Sequence, residues 1–136
     1  MLRALIMDYG GVLTDRGDEV SDEPPLFGAL RAARRHGLRT ALLSNADGRG
    51  APRPAWADLF DVMVLSGETE FAKPDRQIYL LTADRLGLHP EECVFVDDLA
   101  VNVRGAAAAG MVGVHHRSVE ITLEELETLF AVPLKG

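Results

Sequence analysis

Asp8, Asp97 and Asp98, with Ser44, Asn45 and Lys73, are the residues of this chain best placed to do chemistry. Asp8 ends one short apolar run and Asp97-Asp98 end another. A short apolar run bounded by turn signals reads as a buried strand, so each strand delivers its carboxylate to the edge of a sheet. Like charges gathered there repel unless a cation or a proton lies among them. Carboxylate and main-chain oxygens suit Mg²⁺, which also keeps several waters. An adjacent phosphate would add further ligands. Ser44 offers a hydroxyl and Asn45 an amide for phosphate oxygens. Lys73 stands just before Pro74, and a lysine and a helix N-terminus both favour an anion. Together these residues pair a hard cation with a phosphate and leave Asp8 free to attack it. A carboxylate nucleophile that forms an aspartyl-phosphate is known chemistry, with the cation and Lys73 neutralising the transferring group. Each piece also has a plainer reading. Asp8 could begin a glycine turn with Gly10 and Gly11, Ser44 and Asn45 could cap a strand–loop junction, and Lys73 could be solvated. Asp97-Asp98 resists the plain reading, because adjacent acids at a sheet edge are costly without a partner.

The elements that must position these groups follow from the pattern of apolar residues. Strands are expected at residues 4–7, 39–44, 62–65, 93–96 and 111–114. A helix opened by Pro25 and capped by Gly37 separates the first two. Residues 55–60 can form one or two helical turns. Pro74 opens a helix that runs to about Leu86, and a small-residue helix follows over 99–109. Thr122 is a plausible N-cap of the last helix, which ends at Phe130. Alternating strands and helices argue for an α/β fold with a parallel sheet, within a single domain over residues 1–136. In such sheets ligands bind outside the carboxyl ends of the strands. Asp8, Ser44, Asn45, Ser66, Asp97 and Asp98 all fall at that edge.

Length and composition bound the function. A chain of 136 residues that is 47% apolar suits one core. Its formal charge of −7 argues against nucleic acid or an acidic membrane as a partner. One cysteine excludes an internal disulfide and fits a reducing compartment. No signal-peptide pattern or membrane-length apolar run is present, so a cytoplasmic location is expected.

Four motifs, in order, resemble those of the haloacid dehalogenase-like hydrolases: LIMDYGGVLTD, ALLSN, KPDRQIY and VFVDDLAVNVRGAAAAGM. The resemblance covers most of the chain, and Gly-Gly-Val-Leu with Asp-Asp-x-x-x-Asn is similar to the branch that includes epoxide hydrolase N-terminal phosphatase domains and sugar-phosphate phosphatases. It implies a Rossmann-like, three-layer core and Mg²⁺-dependent phosphoryl transfer. It implies Asp8 as nucleophile and metal ligand, Ser44 and Lys73 as phosphate holders, and Asp97 and Asp98 as metal holders, directly or through water. The main-chain oxygen of Gly10 would complete the metal shell.

Two residues depart from that pattern. Gly10 stands where most phosphatases of the family carry a second Asp as general acid and base. Such proton transfer contributes about 10²–10⁴-fold, so slow turnover or a bias towards good leaving groups is expected. Glu70 stands where Gly is frequent and could compete for Lys73. The interval from Asp8 to Ser44 accommodates little beyond the connecting helix of a βαβ unit of about 30 residues. A cap domain needs on the order of 50 residues, so a capless, open site is expected, admitting a large or small phosphorylated substrate or covered by a second copy of the chain. Three readings therefore stand. The first is a phosphohydrolase. The second is a phosphate- or phosphoprotein-binding module without turnover. The third is a 2-haloacid dehalogenase in which Asp8 attacks carbon, ranked last because Asp97 and Asp98 look built for a metal. Arg49 and Arg53 could meet an acidic substrate, and Trp56 could contact another subunit. Cys93 is expected inside a strand, and His115 and His116 on the surface.

Overall fold

Four of the five strands begin at their expected start and the fifth one residue later, because each is an apolar run with few polar interruptions. That is the composition of strands buried on both faces. In the computed structural model, residues 1–18, 22–46 and 54–135 are described. Arg49 and Arg53 lie outside the described residues. The strands are β1 (Ala4–Met7), β2 (Arg39–Ser44), β3 (Val62–Leu65), β4 (Cys93–Asp97) and β5 (Val112–His115). They form one parallel sheet in the order β3-β2-β1-β4-β5. The chain works outward from β1 through β2 and β3, then returns to the other side of β1 as β4. The β1–β4 seam is therefore the topological switch point, where ligands bind in open α/β sheets.

Side chains alternate across the sheet, and this sorts the core into two layers. Leu5, Met7, Val94 and Val96 pack with α1 (Pro25–Arg35) and α4 (Val119–Phe130). Ala4, Ile6, Cys93 and Phe95 pack instead with α2 (Arg76–Leu86) and residues around α3 (Ala100–Ala108). α1 begins at Pro25, where the missing N–H of proline costs nothing. It ends at His36, and Gly37 turns the chain at φ 81°. α3 can lie close because it is built of small residues. A Cβ on Gly105 would approach the Pro74 carbonyl oxygen and the Tyr79 hydroxyl to 2.9 Å.

Two helices start elsewhere than the sequence suggests. α2 begins at Arg76, with Pro74 in a turn ahead of it and Asp75 as its N-cap residue. α4 begins at Val119, capped by Ser118, whose hydroxyl accepts from the Ile121 N–H at 3.2 Å. Thr122, the expected cap, is buried inside the first turn. Among the described residues, β1 and β2 are joined through α1, and β2 and β3 through the short helix Ala55–Leu59, with no cap domain between them. No helix among the described residues is long and apolar enough to cross a membrane.

Candidate active site

The strand alternation carries one residue past β1 and reaches β4's last position. Asp8 follows Ala4 and Ile6 onto the α2–α3 face, and Asp97 follows Cys93 and Phe95 onto the same face. The parallel register pairs Met7 with Val96, and the Asp8 N–H donates to the Val96 carbonyl at 3.1 Å. The two acids are thus neighbours at the switch point. Between them lies the ammonium of Lys73, 3.0 Å from Asp8 Oδ1 and 2.8 Å from Asp97 Oδ2. Lys73 also donates to the Leu43 carbonyl at 3.1 Å and sits over the Phe95 ring. It is 6% exposed, so the solvated reading of this lysine does not hold. Glu70 is exposed, and the ammonium pairs with Asp8 and Asp97 instead.

Asn45 holds Lys73 in place. Its Oδ1 accepts from the Lys73 N–H at 2.9 Å, and its Nδ2 donates to the Lys73 carbonyl at 3.1 Å. The amide expected to face a phosphate is therefore a clamp first, with one N–H left over. Ser44 ends β2 at the same rim and is 8% exposed. Asp97 is held by the Leu99 N–H at 2.9 Å on one oxygen and by Asn102 Nδ2 at 3.1 Å on the other. Asn102 was not among the expected site residues, although it stands in the fourth motif. Its spacing from Asp97 places it in the first turn of α3, facing back towards the strand end.

Asp98 points the other way and lies against the turn after Asp8. That turn runs through Gly11 at φ 81°, and a Cβ there would come within 2.3 Å of Asp98 Oδ2. Glycine is required on both counts. A Cβ on Gly10, in contrast, would meet nothing within 4 Å. Carboxylate oxygens of Asp8, Asp97 and Asp98 lie within 4.8 Å of one another. Burial, opposed by Lys73, raises the Asp8 carboxyl above its ordinary value, and the charge of Asp97 adds to the rise. Asp98 is raised by burial, then by its hydrogen bond to Asp97 and the charge of Asp97. Three acids gathered beside one lysine, which pairs with Asp8 and Asp97 alone, leave surplus negative charge. Hard oxygen donors at that spacing fit a divalent cation such as Mg²⁺.

His115 and His116 are not the surface pair that the sequence suggests. His116 is 4% exposed. It bridges Thr122 Oγ1 and Asp15 Oδ2, each at 2.7 Å, and its N–H donates to the Asp97 carbonyl at 2.8 Å. His115 Nε2 lies 2.9 Å from the Asp98 carbonyl oxygen. The threonine that was expected to cap α4 is instead a partner of His116. Cys93 is buried as expected.

Residues 16–110 match the model of the haloacid dehalogenase-like hydrolases. The chain is 40% identical to a phosphatase of Mycobacterium tuberculosis, over 61% of this chain and 41% of that one. It is 35% identical to (S)-2-haloacid dehalogenase 1 of a Pseudomonas species, over 76% of this chain and 47% of that one. A crystal structure of an uncharacterised Corynebacterium glutamicum protein superposes with a TM-score of 0.86 at 34% identity, covering 97% of both chains. The curated relatives are longer, and the chain spans from 12% to 47% of their length.

Proposed function

The chain belongs to the haloacid dehalogenase-like hydrolase family, and on that premise we propose that it is a Mg²⁺-dependent phosphohydrolase that works through an aspartyl-phosphate on Asp8. The observation that carries this reading is the Lys73 ammonium shared between Asp8 and Asp97 beside a third carboxylate.

In this mechanism a phosphate ester enters over the carboxyl ends of β1, β2 and β4. Ser44 and the remaining amide N–H of Asn45 donate to its non-bridging oxygens. An oxygen of Asp8 attacks phosphorus, and the leaving group departs from the opposite side. Lys73, held by the Asn45 clamp, balances charge on the transferring group. Asp8, Asp98 and the Gly10 carbonyl are the oxygens that would hold Mg²⁺, with Asp97 fixing their neighbour Lys73. When bound, the cation supplies charge neutralisation that lets an anionic carboxylate approach an anionic phosphate. Water then attacks the aspartyl-phosphate, returning Asp8 as a carboxylate. Gly10 brings no side chain to protonate the leaving group or to take the proton of that water, so both transfers go to solvent.

The test is phosphate release from p-nitrophenyl phosphate or acetyl phosphate, with Mg²⁺ and with excess chelator. Activity is expected only with the metal, and Asp8→Asn is expected to abolish it. Activity unchanged by that substitution would exclude the mechanism. Gly10 favours a second reading, a phosphate-binding module without turnover, which predicts saturable phosphate binding and no release. Because the space beside Gly10 is open, Gly10→Asp separates the two. A large gain in rate marks a working site that lacks only its proton shuttle.

A further inference from the structure

We propose that the cleft at the turn that follows Asp8 receives the aryl leaving group of a phosphate ester, with Tyr9 and Trp56 as its stacking surface. This rests on the phosphohydrolase reading above and names its substrate class. Tyr9 is the residue after Asp8, and its N–H donates to the Asp8 carboxyl. It opens the turn after β1, and its side chain lies on the α1 side of the sheet. There it lines a cleft of about 470 Å³ together with Leu13, Thr14, Arg16, Phe27 and Trp56. That volume lies within the ordinary range for small-molecule sites. The Tyr9 and Trp56 rings are stacked, with centroids 5.2 Å apart and planes at 18°. Trp56 is fixed from beneath by Phe27 and Phe60, each with its ring centroid at 6.0 Å. Tyr9 is nevertheless 38% exposed. A large aromatic surface is thus held rigid and left open to solvent, one residue from the carboxylate expected to attack.

The cleft and Gly10 point to the same substrate. Without a side-chain acid, an alkoxide leaves poorly. A phenol has a pKa of about 10, against about 15.7 for water, so an aryloxide can leave as the anion. The balance is simple. A bond forms from Asp8 Oδ to phosphorus while the phosphorus–aryl oxygen bond breaks. The electron pair leaves on the aryloxide, which takes its proton from water. Water then attacks phosphorus and frees inorganic phosphate and the Asp8 carboxylate. Asp22 and Glu23 border the cleft, so the ring it accepts carries no second negative charge.

Trp56 is the one tryptophan of the sequence, and its fluorescence reports on the cleft without requiring turnover. Phenyl phosphate should quench it saturably, and inorganic phosphate alone should not. In steady-state assays, Tyr9→Leu and Trp56→Leu should each lower the ratio of kcat/KM for phenyl phosphate to that for acetyl phosphate about three- to tenfold, the range of one aromatic contact. The loss should fall mainly on KM, and Tyr9→Phe should restore the ratio. Absence of saturable quenching, or a ratio within about twofold of wild type in both leucine variants, would overturn the proposal. So would substitutions that shift sedimentation from dimer to monomer, since the rings would then be a contact between copies of the chain. Saturable quenching with no turnover of either substrate would count against the phosphohydrolase reading and leave the cleft standing.

Discussion

Two buried polar clusters flank the seam between β1 and β4, and they are built on opposite principles. The Lys73 cluster holds Asp8 and Asp97 on one ammonium with the Asp98 carboxylate close by, and burial pushes the Asp8 and Asp98 carboxyls towards their protonated forms. The His116 cluster joins Asp15, Thr122 and the Asp97 carbonyl, with a hydrogen bond for both ring nitrogens and the backbone N–H. The Asp15 carboxyl is held below its ordinary value by the Gly17 N–H first and then by His116, against its partial burial. The second cluster is complete and ties the loop after β1 to β5 and α4. The first is charged beyond what its own residues balance. A divalent cation would balance that surplus. The difference separates scaffold from site using this chain's residues alone.

Substitutions should therefore act with opposite sign in the two places. The largest effect on stability is expected from His116→Ala. It removes partners from Asp15 and buried Thr122, which should cost about 1–3 kcal/mol in urea unfolding while metal-dependent turnover of the folded fraction survives. Asp98→Asn removes surplus charge. It should raise the metal-free unfolding free energy by up to about 1 kcal/mol, the scale of a partly solvated charge pair, while metal-dependent turnover falls. A metal-free protein made less stable by Asp98→Asn would break the comparison. The smallest effect belongs to Asp15. Because its folded carboxyl is depressed, its contribution is complete above the unfolded value near 3.8 and disappears as pH falls through the lower folded value. Asp15→Asn should therefore reduce the loss of stability between about pH 5 and pH 3, by about 0.5 kcal/mol or less, as read from paired urea titrations.

Much of the site could be read from the sequence because its parts sit at the ends of apolar runs. Ser44 and Asp97 each close a strand and Asp8 follows one, and a parallel sheet brings strand ends together. Gly11 could be recognised as a tight turn, although its steric need, the Asp98 carboxylate, lies far along the chain. Less could be read where a residue's role is set by a distant partner. Asn45 was legible as a phosphate donor, but its second task, the clamp on Lys73, was not. His116 and Thr122 looked like a surface residue and a helix cap, and they meet only because α4 starts one turn early at Ser118. The Tyr9–Trp56 stack joins residues 47 positions apart, with no periodic pattern to announce it.

The account rests on covalent capture of phosphate by Asp8. With Gly10 in place of a base, hydrolysis of the aspartyl-phosphate should be the slow step, so the intermediate should accumulate. Acid quench of the Mg²⁺-loaded protein during turnover of acetyl phosphate, followed by peptide mass mapping, measures this directly. The account predicts one phosphoryl group on the peptide that contains Asp8, lost when the chelator is added before the substrate. Steady turnover with no phosphoryl group on that peptide, or with the group on another residue, would contradict it.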